Sequence, residues 1–80
     1  MMSFGQWMYR EIQQHQITVL ELSDYSGISV RKLYRIISGE VSVTLYDFFW
    51  LVECLSDMTG KEKKIIVSEC LGSISIFNVL

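Results

Sequence analysis

The chain has 80 residues, half of them hydrophobic, a mean hydropathy of +0.30 and a formal net charge of −2. That length holds one domain with a modest core, and so greasy a composition in so small a chain points to apolar surface covered by a partner subunit. No apolar run approaches the length of a membrane span, and the start lacks the charged and apolar stretches of a signal peptide, so a cytoplasmic protein with no membrane partner is expected.

Phe4, Trp7, Met8 and Ile12 recur at three- and four-residue spacing, which predicts an amphipathic first helix running to about His15. Thr18 with Glu21 three residues later forms a capping box that opens a second helix, Val19 to Ser26. Leu20, Leu22 and Tyr25 would give that helix its apolar contacts. Gly27 supplies its stop, since a left-handed backbone is cheap only for glycine or asparagine. Ser29 caps a third helix, Val30 to Ser38, with Leu33, Ile36 and Ile37 inward and Gly39 at its end.

Thr44 caps a fourth helix from Leu45 to about Ser56, and Asp47 near its start suits the positive end of the helix dipole. A fifth helix, Lys61 to Leu71, would turn Ile65, Ile66 and Cys70 inward, although three lysines in its first turns oppose its dipole. The tail, residues 73–80, alternates at first and is β-prone, so a short strand or an arm is expected there. Cys54 and Cys70 both fall in predicted helices and read as reduced, buried thiols. Residues 1–72 are thus one all-helical, five-helix domain, and 73–80 an apolar appendage.

The segment 18–38 is two short helices hinged at Gly27-Ile28-Ser29, and its second helix carries Arg31, Lys32 and Arg35 with no acidic residue between Ile28 and Gly39. A helix, a tight turn and a second helix with a basic outer face is how a helix-turn-helix enters a DNA groove. The net charge argues mildly the other way, because most DNA binders are basic. Distribution softens the objection: residues 1–60 hold only four basic residues, but three of them fall within five positions.

In these residues the chain resembles the Cro/repressor (XRE-like) helix-turn-helix family. Ile17-Thr18 matches the start of the family pattern, Leu22-Ser23 its Leu-Ala pair, Gly27-Ile28-Ser29 its turn, Leu33 and Ile36 its buried positions, and Gly39 its closing glycine. Thr44-Leu45 continues it as the cap of helix four, with Phe48, Leu51, Val52 and Leu55 as that helix's apolar face. The match spans roughly 17–57 without a gap. Two departures weaken the usual contacts. Val19 stands where the family commonly has a phosphate-binding glutamine, and Val30 where a polar base reader is common.

The resemblance implies a phage-repressor-like fold with helix three in the major groove. Val30, Arg31, Lys32 and Arg35 would face double-stranded DNA there, with Arg31 the first choice for base reading and Val30 limited to a thymine methyl. Ser29 opens that helix, Tyr34 could reach a phosphate, and the amides at the Thr18 and Thr44 helix starts could hold phosphates too. Useful affinity then calls for a homodimer on an inverted repeat. Tyr46, Phe49 and Trp50 of helix four, and Ile74, Ile76, Phe77, Val79 and Leu80 of the tail, are the candidate interface; the same residues could instead pack within one chain.

Enzymatic readings find little footing. His15 is the only histidine, the two cysteines stand sixteen residues apart, and neither a phosphate-binding glycine loop nor a nucleophile elbow is present. No catalytic site, cofactor or metal is expected. The expected function is a DNA-binding transcriptional repressor, similar to the compact regulators of phages and mobile elements. The competing expectation is the same fold used as a protein-binding module, such as an anti-repressor, inhibitor or adaptor.

Overall fold

The computed structural model describes residues 3–73, and every regular element in them is an α-helix. The helices are α1 (Phe4–Gln14), α2 (Val19–Ser26), α3 (Val30–Ile37), α4 (Leu45–Thr59) and α5 (Lys63–Ser73). This is the all-helical, five-helix domain expected from the sequence. The expected C-terminal strand or arm, with Ile74, Ile76, Phe77, Val79 and Leu80, lies outside the described residues.

Side-chain oxygens start the first four helices. Ser3, Thr18, Ser29 and Thr44 each accept the backbone N–H three residues on, at 3.0 to 3.2 Å. At α2 the box is reciprocal: the N–H of Thr18 donates to Glu21 Oε1 at 2.9 Å, and this bond together with the Thr18 hydroxyl holds the Glu21 carboxyl below its usual pKa. Gly27 and Gly60 end α2 and α4 in the left-handed region, with φ of 76° and 80°. Helix α1 stops without a glycine. Gln16 takes the left-handed conformation (φ 58°), and the Ile17 N–H returns to the Ile12 carbonyl at 2.8 Å.

The core joins Phe4, Trp7, Met8 and Ile12 of α1 to Val19 and Leu22 of α2, Leu33 and Ile36 of α3, Leu51, Val52, Cys54 and Leu55 of α4, and Ile66 and Cys70 of α5. Three inward assignments fail. Leu20 is 61% exposed, Tyr25 50% and Ile65 44%. In α2 the neighbouring Val19 is buried instead, and in α5 Ile66 and Cys70 face the core. Adjacent apolar residues leave a helix's phase ambiguous, and packing against the other helices decides it. Ile37 is only half-buried, α4 runs on to Thr59, and α5 starts two residues later than expected and reaches Ser73.

The lysines expected to oppose the α5 dipole are all paired. Lys61 Nζ lies 2.7 Å from the buried Glu11 and 3.0 Å from Glu69, Lys63 lies 2.6 Å from Glu53, and Lys64 lies 3.7 Å from Glu62. Lys61 therefore ties α5 to α1 through Glu11, a carboxylate only 6% exposed. Cys54 and Cys70 are free and buried, and burial pushes both thiols up to about 11.

Candidate nucleic-acid interface

Helix α3 has two unlike sides. Leu33 and Ile36 are buried in the core, and this anchoring fixes the rotation of the helix about its axis. Arg31, Tyr34, Arg35 and Ser38, at helical spacing, form the opposite side and are all exposed. With Glu40 they line one open groove of about 620 Å³. Val30 is half-buried against the core, which leaves little of it for a thymine methyl.

The three cations differ in their surroundings. Lys32 stands on the flank of α3, and its Nζ is 2.9 Å from Asp47 Oδ2 in the first turn of α4. Arg35 Nε is 3.6 Å from Glu40 Oε2, in the loop beyond Gly39. Among the described residues Arg31 has no ion-pair partner. The stretch from Ile28 to Gly39 lacks acids, as its sequence says, yet the fold supplies two from outside it.

The backbone explains the placement of Glu40. Gly39 turns the chain at φ 81°, and the N–H groups of Glu40 and Val41 both donate to the Arg35 carbonyl, at 2.9 and 3.3 Å. The loop is thereby folded back on the end of α3, and the carboxylate arrives beside the guanidinium. Asp47 is delivered by the orientation of α4, which two polar contacts fix. Trp50 Nε1 donates to the Ser26 carbonyl at 2.8 Å, and the Tyr25 hydroxyl donates to Asp57 at 2.9 Å. These bonds clamp α4 along α2 and the turn, so the start of α4 lies next to α3.

Several of the amides expected to hold phosphates at the Thr18 and Thr44 helix starts are already engaged: those of Thr18 and Glu21 within the α2 capping box, and that of Asp47 by the Thr44 hydroxyl. The Thr18 hydroxyl both accepts the Glu21 N–H and donates to its carboxylate, each at 3.0 Å, while the Thr44 and Ser29 hydroxyls accept the caps of α4 and α3. Glu21 and Asp47 place negative charge at the starts of α2 and α4.

The expected partner surface on α4 is open. Tyr46 is 80% exposed and Phe49 58%; Leu45, which was not among the expected contacts, is 73% exposed beside them. Trp50 has a mixed position, with its N–H committed to Ser26 and the residue as a whole 39% exposed. Tyr46, Phe49 and Trp50 fall at i, i+3 and i+4, one stripe on the side of α4 away from the core. Sequence reasoning missed the acid partners of Lys32 and Arg35 altogether. The available signal was Glu40 directly after a helix-ending glycine, where the chain must double back.

Among the described residues no cluster of His, Cys, Asp and Glu could hold a metal ion, and no helix is long and apolar enough to cross a membrane. His15, at the end of α1, lies 3.4 Å from Glu11. No protein-family model matches the chain, and searches of curated proteins and of solved structures likewise return no match.

Proposed function

We propose that the protein is a sequence-specific DNA-binding regulator that presents α3 to the major groove and acts by binding rather than catalysis. One observation carries the reading: Arg31, Tyr34 and Arg35 share the outward side of a short helix whose inward side is locked in the core, directly after a three-residue turn. Arg31 is the base reader in this scheme, because its guanidinium has no ion-pair partner among the described residues and its fork can meet guanine O6 and N7 together. Tyr34 and Arg35 serve the backbone. The exposed stripe of α4 and the apolar tail join two copies on an inverted repeat, and occlusion of a promoter gives repression.

A second reading has its own observation. The α4 surface, with Leu45, Tyr46 and Phe49 more than half exposed, is the kind of contiguous apolar patch that marks a protein contact. In that case the domain is a protein-binding module.

Arg31→Ala combined with Arg35→Ala separates the two. On DNA containing the promoter beside the protein's own coding region, in about 0.1 M salt, the wild type should shift the fragment and the double variant should not, with binding weakening steeply as salt rises. An unshifted fragment with wild-type protein, alongside a partner complex that Tyr46→Ala abolishes, would establish the second reading.

A further inference from the structure

Two of the three cations on the proposed DNA-binding side meet a carboxylate of their own chain. We infer that Glu40 and Asp47 attenuate DNA affinity: they compete with DNA phosphates for Arg35 and Lys32, and so hold down the electrostatic, sequence-independent part of binding. The inference rests on the DNA-binding reading of α3.

The geometry gives the two acids different weights. The Lys32–Asp47 pair is short, 2.9 Å, and although the Lys32 side chain is 52% exposed the Asp47 side chain is only 13% exposed, so this pair is the less screened of the two. The Arg35–Glu40 pair is longer, 3.6 Å, with side chains 48% and 65% exposed, and it opens more readily. Neither contact is incidental to a flexible surface. The Glu40 backbone is bonded to the Arg35 carbonyl and the Asp47 backbone to the Thr44 cap, so each acid is built into a fixed turn.

Phosphate binding draws its free energy from counterions released when a cation neutralises the backbone. A lysine already neutralised by aspartate condenses no such gain until that pair breaks. The cost falls on every DNA sequence alike. Base reading by Arg31, which has no ion-pair partner among the described residues, is untouched. Specific and non-specific affinities therefore fall by the same factor, and their ratio, which is what counts against a genome of competing sites, stays with Arg31.

The test is binding of a mixed-sequence DNA duplex of about 20 base pairs, followed by fluorescence anisotropy from about 50 to about 200 mM KCl. The proteins compared are wild type, Glu40→Gln, Asp47→Asn and the charge-matched control Glu53→Gln. Glu53 pairs with Lys63 at 2.6 Å, joining α4 to α5, so its loss frees one cation and removes one negative charge away from α3. Glu40→Gln changes a largely exposed loop side chain and keeps the fold even if Asp47→Asn loosens α4.

Each freed cation on α3 should steepen the slope of log K against log salt by about 0.9 and strengthen binding several-fold at the lower salt. Glu53→Gln should leave the slope at its wild-type value. Equal steepening by Glu53→Gln would overturn the inference in favour of bulk charge, and so would wild-type slopes in both test variants. If wild type binds and Arg31→Ala with Arg35→Ala abolishes binding while those slopes stay put, only the inference fails. If neither wild type nor any variant binds DNA at the lowest salt, the DNA-binding reading fails with it.

Discussion

Gly5 lies in the first turn of α1, where that helix meets the last turn of α3, and a Cβ placed on it would stand 2.0 Å from the Ile36 carbonyl oxygen and 2.8 Å from the Ile37 Cα. Carbon and carbonyl oxygen ordinarily stay about 3.3 Å or more apart. Both obstructing atoms are backbone, so no side chain can swing aside, and Gly5→Ala has to separate two helices by more than about 1 Å. Forcing a methyl into packed structure costs about 1–3 kcal/mol and sometimes more. Removing a glycine from a helix returns at most about 1 kcal/mol. Because the clash is with backbone, the cost falls at the upper end of that range or beyond, and the expected net is a loss of about 2 kcal/mol or more, a sizeable part of the stability of so small a domain. Gly72→Ala is the natural comparison, since Gly72 is also helical but has nothing among the described residues within 4 Å of its Cβ position, and it should gain up to about 1 kcal/mol. Urea unfolding followed by far-ultraviolet circular dichroism reads both variants. Opposite signs are expected; a Gly5→Ala protein as stable as wild type would mean that α1 does not abut the backbone of α3.

Thr18→Ala removes the hydroxyl that accepts the Glu21 N–H and should cost about 1 kcal/mol, read from the same urea midpoints. Stability should also fall in alkali. Cys54 and Cys70 have pKa values pushed from 9.0 to about 11 by burial, and the Tyr25 phenol is raised above 10.0 by its hydrogen bond to Asp57. Lys61 is raised above 10.5 by Glu11 and Glu69. Each of these groups keeps its proton more tightly when folded, so the unfolded chain binds fewer protons in that range and ΔG of unfolding drops as pH rises. Melting temperatures should be level around neutrality and decline from about pH 9 upward; a flat profile to pH 11 would contradict the burial of both thiols.

What could be read from the sequence was what the chain decides locally. Thr18 with Glu21, Ser29, Thr44 and Gly27 place helix ends through contacts within five residues, and the observed ends of α2 and the starts of α3 and α4 fall where those signals put them. Choices between neighbours were illegible, as with Val19 against Leu20, or Ile65 against Ile66, because either phase is apolar and only the other helices select one. The candidate site divides along the same line. That Arg31, Tyr34 and Arg35 share one side follows from helical spacing alone. That Lys32 meets Asp47 depends on how α4 lies, which is fixed by Trp50 reaching Ser26 across 24 positions of sequence. The lysines at the start of α5 looked unfavourable because their partners Glu11, Glu53 and Glu69 sit on other turns or other helices.

The two indoles of the chain sit in opposite surroundings. Trp7 is 5% exposed in the core of α1, whereas Trp50 is 39% exposed, with its N–H on the carbonyl at the end of α2 and its ring at the edge of the α4 stripe. Emission from the protein is therefore a sum of a sheltered blue component and a solvent-touched red one, and iodide reaches only the second. Any molecule that settles on α4, or that shifts α2 against it, changes the quenchable fraction and leaves the rest alone. The fold has placed an optical probe beside its own turn, and occupancy of that region can be followed without attaching a dye.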